Sequence, residues 1–217
     1  MPAIDINADI GEGMPWDDEL MEIVTSVNVG LGEHAGKSED SLRTMEKARA
    51  KGLRVGFHPG FPDREHFGRR MPTAIEEEKW CISVMMQMAE AYRDFKPDYV
   101  KPHGALHHFL LTDNDNMAWL APWLNVYQLP LMGLPDSFHE EIAAEAEVPF
   151  IREGFAERGY REDKLIPRGE PGAELTDINE IVEQALSLAP HVDSICIHGD
   201  RPGCVEIARA VRDALVG

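Results

Sequence analysis

The chain has 217 residues, with 39 Asp and Glu against 21 Lys and Arg for a formal charge of −18, and 43% of its residues are apolar. That size and apolar content predict one domain, residues 1–217, with a core of its own, and the acidic balance excludes a nucleic-acid partner, whose phosphates need a basic surface. No apolar run approaches the roughly 20 residues that cross a bilayer, no basic-then-apolar leader opens the chain, and Cys81, Cys196 and Cys204 form no C-x-x-C pair; a soluble protein of the reducing cytoplasm, without a disulfide framework or a membrane partner, is expected.

Strand-like and helix-like runs alternate along the whole chain. Ala3–Ile10 reads as a strand, Asp17–Val24 as a short helix and Ser26–Val29 as a second strand. Ser38 stands as an N-cap before a helix over Glu39–Lys51 that Gly52 closes. Leu53–Phe57 is the third strand, followed by a long loop from His58 to Pro72 that is rich in Gly, Pro and Arg. Thr73-Ala74-Ile75-Glu76 forms a capping box, opening a helix to about Asp94. Asp98–Lys101 is the fourth strand, and Ala105–Trp123 reads as helical. Gln128–Met132 and Pro149–Arg152 flank a helix at Phe138–Ala146 and make strands five and six. A second long loop, Gly154–Gly172, leads to a helix at Asn179–Leu188, a seventh strand at Ser194–Ile197 and a last helix that begins at Pro202. This alternation predicts a parallel sheet with right-handed crossovers. A closed barrel fits better than an open sheet, because polar groups end at least five strands instead of clustering at one switch point.

Four patches share one form, an apolar run followed by histidine or carboxylate beside glycine: Ile4–Gly13, Val55–Gly60, Tyr99–Gly104 and Ile195–Asp200. Strands that end in titratable groups are how a β/α barrel presents its chemistry at one rim. The first patch carries Asn7, Asp9 and Glu12, and paired carboxyls push each other's proton affinities apart, giving one acid and one base. His58, His103 and His198 each follow a strand directly, and His34 follows the second strand; they suit proton transfer or, completed by Asp9 or Asp200, metal binding. No H-x-x-x-H or H-E-x-x-H pair forces the metal. Lys101 lies two residues before His103 and shares its face of an extended strand, where it suits a substrate carboxylate, phosphate or oxyanion. Arg69 and Arg70 can do similar work from the long loop. Gly30–Ser38 almost matches a phosphate-binding loop, but Leu31 breaks the required G-x-x-x-x-G-K spacing, which argues against an ATP site there.

Together these residues resemble the LamB/YcsF family. The resemblance rests on Asp5-x-Asn7-x-Asp9-x-Gly11-Glu12-Gly13, Thr25-Ser26-x-Asn28, Gly32-x-His34-Ala35-Gly36, Gly56-x-His58-Pro59-Gly60, Phe67-Gly68-Arg69-Arg70, Val100–Leu106, Pro167-Arg168 with Pro171-Gly172-Ala173, and His198-Gly199-Asp200-x-Pro202-Gly203. It runs from about residue 3 to the C-terminus. The chain departs from the family's usual pattern at Leu31, Glu33 and Lys37 around His34, at Glu157 in Phe155-Ala156-Glu157-Arg158, at Gly169-Glu170, and in a short connection over Ala189–Asp193.

The resemblance implies a distorted seven-stranded, TIM-like β/α barrel related in shape to glycoside hydrolases and polysaccharide deacetylases. It also implies ATP-dependent opening of the 5-oxoproline lactam to glutamate as one subunit of a multi-subunit enzyme. Two partner subunits would phosphorylate the lactam and this chain would complete the hydrolysis; self-association is left open. On that reading Asp9 or Glu12 activates water, His58 and His103 move protons, Lys101 holds the substrate's carboxylate or acyl phosphate, and Asp200 orients His198. Asn7, Asn28, His34, Arg70 and Arg168 are the expected substrate-binding residues. One rival is a metal-dependent deacetylase or amidohydrolase acting on a carbohydrate or other amide, with a divalent ion on Asp9, His34 and His58 or His198. Another is a non-catalytic binding subunit that retains the cleft.

Overall fold

In the computed structural model, which describes residues 4–112, 119–162 and 164–216, seven parallel strands close on themselves. In chain order the elements are β1 (Asp5–Ile10), α1 (Asp17–Leu20), β2 (Ser26–Gly30), α2 (Ser38–Ala50), β3 (Arg54–His58), α3 (Glu77–Asp94), β4 (Tyr99–Val100), α4 (Gly104–Phe109), α5 (Leu120–Tyr127), β5 (Leu131–Gly133), α6 (Phe138–Glu145), β6 (Phe150–Phe155), β7 (Tyr160–Arg161), β8 (Lys164–Leu165), α7 (Ile178–Leu188), β9 (Ser194–Ile197) and α8 (Cys204–Val216). The barrel order is β1-β2-β3-β4-β5-β6-β9, and β1 pairs on its free side with β9, Asp5 opposite Ser194 and Asn7 opposite Cys196. This is the expected α/β barrel.

The alternation in β1 explains its placement. Ile6, Ala8 and Ile10 are buried in the apolar layer between barrel and helices, while Asp5, Asn7 and Asp9 make polar contacts toward the barrel axis. α8 follows the same logic at helical spacing: Cys204, Ile207, Ala208 and Val211 are its buried face. Tyr99 fills the barrel centre directly over Gly56, where an added Cβ would lie 2.2 Å from the tyrosine ring. No helix among the described residues is long and apolar enough to cross a membrane.

Several boundaries differ from the sequence reading. Only part of the helix expected over Ala105–Trp123 is described, as α4 and the start of α5, since residues 113–118 lie outside the described residues. Gln128 takes a left-handed conformation (φ 52°) that ends α5, so the fifth strand starts at Leu131. The sixth strand continues past Arg152 to Phe155, which sends Glu153 into the barrel. The loop after it contains the antiparallel pair β7–β8. At the capping box, Glu76 reaches back to the Thr73 amide at 3.0 Å, but regular helix begins only at Glu77.

Candidate active site

A column of hydrogen bonds rises through the barrel interior to the carboxyl ends of the strands. Ser26 and Ser194 both donate to Asp5, Asn7 Nδ2 donates to Ser194 Oγ at 2.8 Å, and Asn28 Nδ2 donates to Asn7 Oδ1 at 2.7 Å and to Asp9 Oδ1 at 2.8 Å. Tyr99 closes the set by donating to Asn28 Oδ1 at 2.7 Å. Every one of these groups is satisfied by a neighbour, which is what keeps a polar barrel core tolerable. Asn7 and Asn28 therefore hold Asp9 from beneath, and neither lines the two cavities at the barrel mouth.

Lys101 is 2% exposed, and its ammonium sits 2.8 Å from Asp9 Oδ1, 2.8 Å from Glu153 Oε1 and 3.0 Å from Cys196 Sγ. An ammonium has three donors; they go to Asp9 Oδ1, Cys196 Sγ and, at 3.3 Å, Asn7 Oδ1, with Glu153 alongside as an ion pair. Lys101 also lines the inner cavity, where a substrate carboxylate would share the ammonium with Asp9. Burial alone would raise the Asp9 carboxyl, but Lys101, His58 and His198 hold it well below the usual carboxylate range. Burial and then the charge of Asp9 push Glu12 well above that range. One neighbouring carboxyl is thus ionised and the other keeps its proton.

Three of the four rim histidines, His34, His58 and His103, are fixed by main chain and glycine. His58 Nδ1 lies 2.8 Å from Lys101 O, and His103 Nε2 lies 2.8 Å from Phe67 O. A carbonyl oxygen only accepts, so both of these ring nitrogens carry hydrogen. The other nitrogens, His58 Nε2 and His103 Nδ1, then face each other at 2.9 Å with their lone pairs converging. Glu12 Oε1 joins them, 3.3 Å from His103 Nδ1 and 3.7 Å from His58 Nε2. His34 is fully buried, stacks on His103 with centroids 3.9 Å apart, and bonds Glu12 Oε1 through Nε2 at 3.0 Å. Its ring is sandwiched: a Cβ at Gly60 would fall 2.5 Å from His34 Nδ1, and one at Gly68 (φ +64°) 2.6 Å from its Cβ. Burial lowers the proton affinity of all of them, His58 to about 4, His198 to about 3, and His34 and His103 well below the usual imidazole range.

Among the described residues, two groups have the donors and spacing to hold a metal ion: Glu12 with His58 and His103, and Asp9 with Cys196 and His198. The set expected from the sequence, Asp9, His34 and His58, is not brought together as one; His34 acts behind Glu12 instead.

Asp9, His58, Lys101, His103 and His198 line an inner cavity of about 40 Å³ at the barrel mouth. Arg69, Arg158, Arg168 and His198 line both this cavity and an outer one of about 190 Å³. Arg168 Nη2 lies 3.4 Å from His198 Nε2. Two further expectations are corrected here. Asp200 pairs with Arg69, not with His198; the main-chain N–H of His198 instead donates to both Glu157 oxygens, at 3.3 and 3.1 Å. Arg70 points away from the cavities, bonding Glu76 through both terminal nitrogens at 2.9 Å and lying over the Trp80 ring. Arg69, one residue earlier, takes the cavity position. Glu33 and Lys37, where the chain departs from the family pattern, line neither cavity.

A model of the LamB/YcsF family matches residues 4–217. The chain belongs to the LamB/YcsF family. It is 37% identical to the A-type subunit of 5-oxoprolinase from Streptomyces avermitilis over 239 residues, covering 98% of this chain and 95% of that protein. It superposes on the crystal structure of the lactam utilization protein from Thermus thermophilus with a TM-score of 0.84 at 32% identity, covering 99% and 96% of the two chains. A family 4 carbohydrate esterase from Streptomyces lividans shares the fold at a TM-score of 0.52 and 8% identity, covering 100% and 89%. Within this LamB/YcsF barrel, sequence reasoning missed Glu153, Cys196 and Arg158 as parts of the site. Glu153 had a signal, since Ile151, Glu153 and Phe155 alternate with Arg152 and Gly154; Arg158 stands in a loop, and its one signal was the Phe155-Ala156-Glu157-Arg158 segment of the family pattern.

Proposed function

We propose that this chain is the A-type component of an ATP-dependent 5-oxoprolinase and hydrolyses the lactam of 5-oxoproline to glutamate. The observation that carries the reading is the ionised Asp9 at the barrel mouth, clamped by Lys101 and Asn28 and 3.6 Å from His58 Nε2. The names of the relatives supply the substrate, and the barrel-mouth cavity supplies a place for it.

Hydrolysis of a lactam adds the hydroxyl of water to the acyl carbon, breaks the ring C–N bond and returns a proton to the departing nitrogen. Asp9 and His58 are placed to take the proton that water loses. The His58–His103–Glu12 chain, contiguous at 2.9 and 3.3 Å, carries a proton back to the nitrogen. An amide is a weak electrophile, so ATP is used by two partner subunits to phosphorylate the lactam oxygen; one water then opens the ring to an acyl phosphate and a second releases glutamate and inorganic phosphate, and the chain needs no nucleotide loop of its own. The test is ATP-dependent release of glutamate from 5-oxoproline by the chain combined with its partner subunits. Turnover that disappears in Asp9→Asn supports the reading; a folded chain that gives no turnover with any partner pair overturns it.

One observation favours a second reading, metal-assisted hydrolysis of another amide. The converging lone pairs of His58 and His103 beside Glu12 are a donor set for a divalent ion, with each ring held from behind by a main-chain carbonyl. Such an ion would polarise the scissile carbonyl. Elemental analysis of the purified chain separates the two: a stoichiometric metal retained on dialysis, and lost in His103→Ala, favours the second.

A further inference from the structure

Arg158 is 4% exposed, which puts a permanent positive charge inside the molecule. Its Nε donates to Ala173 O at 3.0 Å and its Nη2 to Ile166 O at 2.7 Å. Carbonyl dipoles orient the guanidinium without neutralising it, and no ion pair among the described residues uses Arg158. Its Nη1 has no hydrogen-bond partner among the described residues, and the side chain lines both cavities. A buried, unpaired charge is costly to maintain, and a ligand anion is what relieves it.

The surroundings point the same way. Around the outer cavity stand four guanidinium groups, Arg69, Arg158, Arg168 and Arg201, against three carboxyls. Two of those carboxyls are committed, Asp200 to Arg69 and Glu174 to Arg168. The third, Glu157, lies 4.0 Å from Arg201, which leaves Arg158 as the fourth guanidinium without a carboxyl of its own. The cavity is therefore net positive in a chain whose formal charge is −18, a local reversal that concentrates small anions. On the inner side, His107 is buried with its Nε2 unpartnered and lines the same cavity as Arg158.

We propose that Arg158, with Arg168 beside it, binds an oxyanion of the substrate, its carboxylate, and so restricts the site to lactams that carry one. The lactam part rests on the function proposed above; the oxyanion subsite does not. A planar guanidinium with a free edge suits a carboxylate and a phosphoryl group alike, so the experiment separates them.

The full-length chain is titrated calorimetrically with 5-oxoproline, with 2-pyrrolidinone (the same ring without the carboxylate), with acetate and with inorganic phosphate. Wild type, Arg158→Gln, Arg158→Lys and Arg168→Gln are compared, with folding checked by circular dichroism. The expected result is that 5-oxoproline binds wild type about 10- to 100-fold more tightly than Arg158→Gln, the loss of a charge-assisted bond. Arg158→Lys falls between, and 2-pyrrolidinone binds all four equally weakly. If Arg158→Gln does not fold, the wild-type preference for 5-oxoproline over 2-pyrrolidinone and the losses in Arg158→Lys and Arg168→Gln decide the matter. Equal binding of the two lactams by wild type overturns the proposal, as does a folded Arg158→Gln with wild-type affinity, or wild type that binds no oxyanion. Arg158-dependent binding of acetate without binding of 5-oxoproline keeps the subsite and removes the lactam reading. Binding of phosphate alone overturns the carboxylate assignment.

Discussion

His58 and His103 meet nitrogen to nitrogen at 2.9 Å, and each has its other ring nitrogen committed to a main-chain carbonyl. Two neutral rings held this way would oppose lone pair to lone pair. Burial denies the pair an extra proton of its own near neutral pH, so the two lone pairs are left to a metal ion or to the carboxyl proton of Glu12, 3.3 Å from His103 Nδ1. Nitrogen-15 spectra of histidine-labelled protein check this: His58 Nδ1 and His103 Nε2 are expected protonated and the other two nitrogens unprotonated. A plain Nδ1–H tautomer of His103 would contradict it.

Lys101→Met removes the ammonium that joins Asp9 to Glu153 and leaves both carboxyls buried without a counter-charge. Breaking a buried pair from one side typically costs about 3 to 5 kcal/mol, and that loss is expected in urea unfolding. Lys101 is also the leading attraction holding the Asp9 carboxyl down against burial. Without it the Asp9 carboxyl rises, so the acid limb of any activity that needs ionised Asp9 moves to higher pH.

Arg70 and Arg69 are neighbours with different tasks. Arg70→Ala loosens a surface contact with Glu76 and Trp80 and is expected to leave catalysis within about twofold of wild type, as surface changes away from a site do. Arg69→Ala frees Asp200 at the cavity wall and is expected to raise KM. Steady-state kinetics of the two variants side by side make the comparison; equal effects would contradict it.

His139 lies outside the site, yet burial lowers it to about 4. Its Nδ1 accepts from the Leu134 N–H at 3.3 Å and its Nε2 donates to His107 O at 3.0 Å, so a second ring proton would meet an N–H. Above about pH 6.5 the ring is neutral in both folded and unfolded chains and contributes no slope. As the pH falls from about 6.5 to about 4 the unfolded chain binds a proton that the native one refuses, and stability drops, on the order of 3 kcal/mol from this residue. His58 and His198 act in the same direction. Unfolding at pH 7 and pH 5 is expected to show a smaller difference in His139→Gln than in wild type.

The strand ends were readable because two regularities coincide there. Period-two alternation sets which face a side chain takes, and the glycine after the strand sets which end of the barrel it reaches, so Asp9, His58, Lys101, His103 and His198 arrive at one cavity. Those rules stop where the chain leaves the ladder. Nothing local separates Arg69 from Arg70, since a loop has no register to decide which of two adjacent arginines turns inward. The neighbours of Lys101 were hidden for another reason: Glu153 and Cys196 come from β6 and β9, and only closure of the barrel brings those strands against its ammonium.

Asp5 and Ser194 stand at opposite ends of the chain and at the foot of the hydrogen-bond column that holds Asp9. A ribosome must therefore finish β9 before the first strand can acquire its second neighbour. Until then β1 and β6 are open edges and Asp9 lacks the support that Ser194 passes up through Asn7. A chain truncated before residue 194 thus carries Asp9 without the support of the closed barrel, and a slow, contact-order-limited closure follows the emergence of β9. Emergence of β9 becomes the step that sets Asp9 in place.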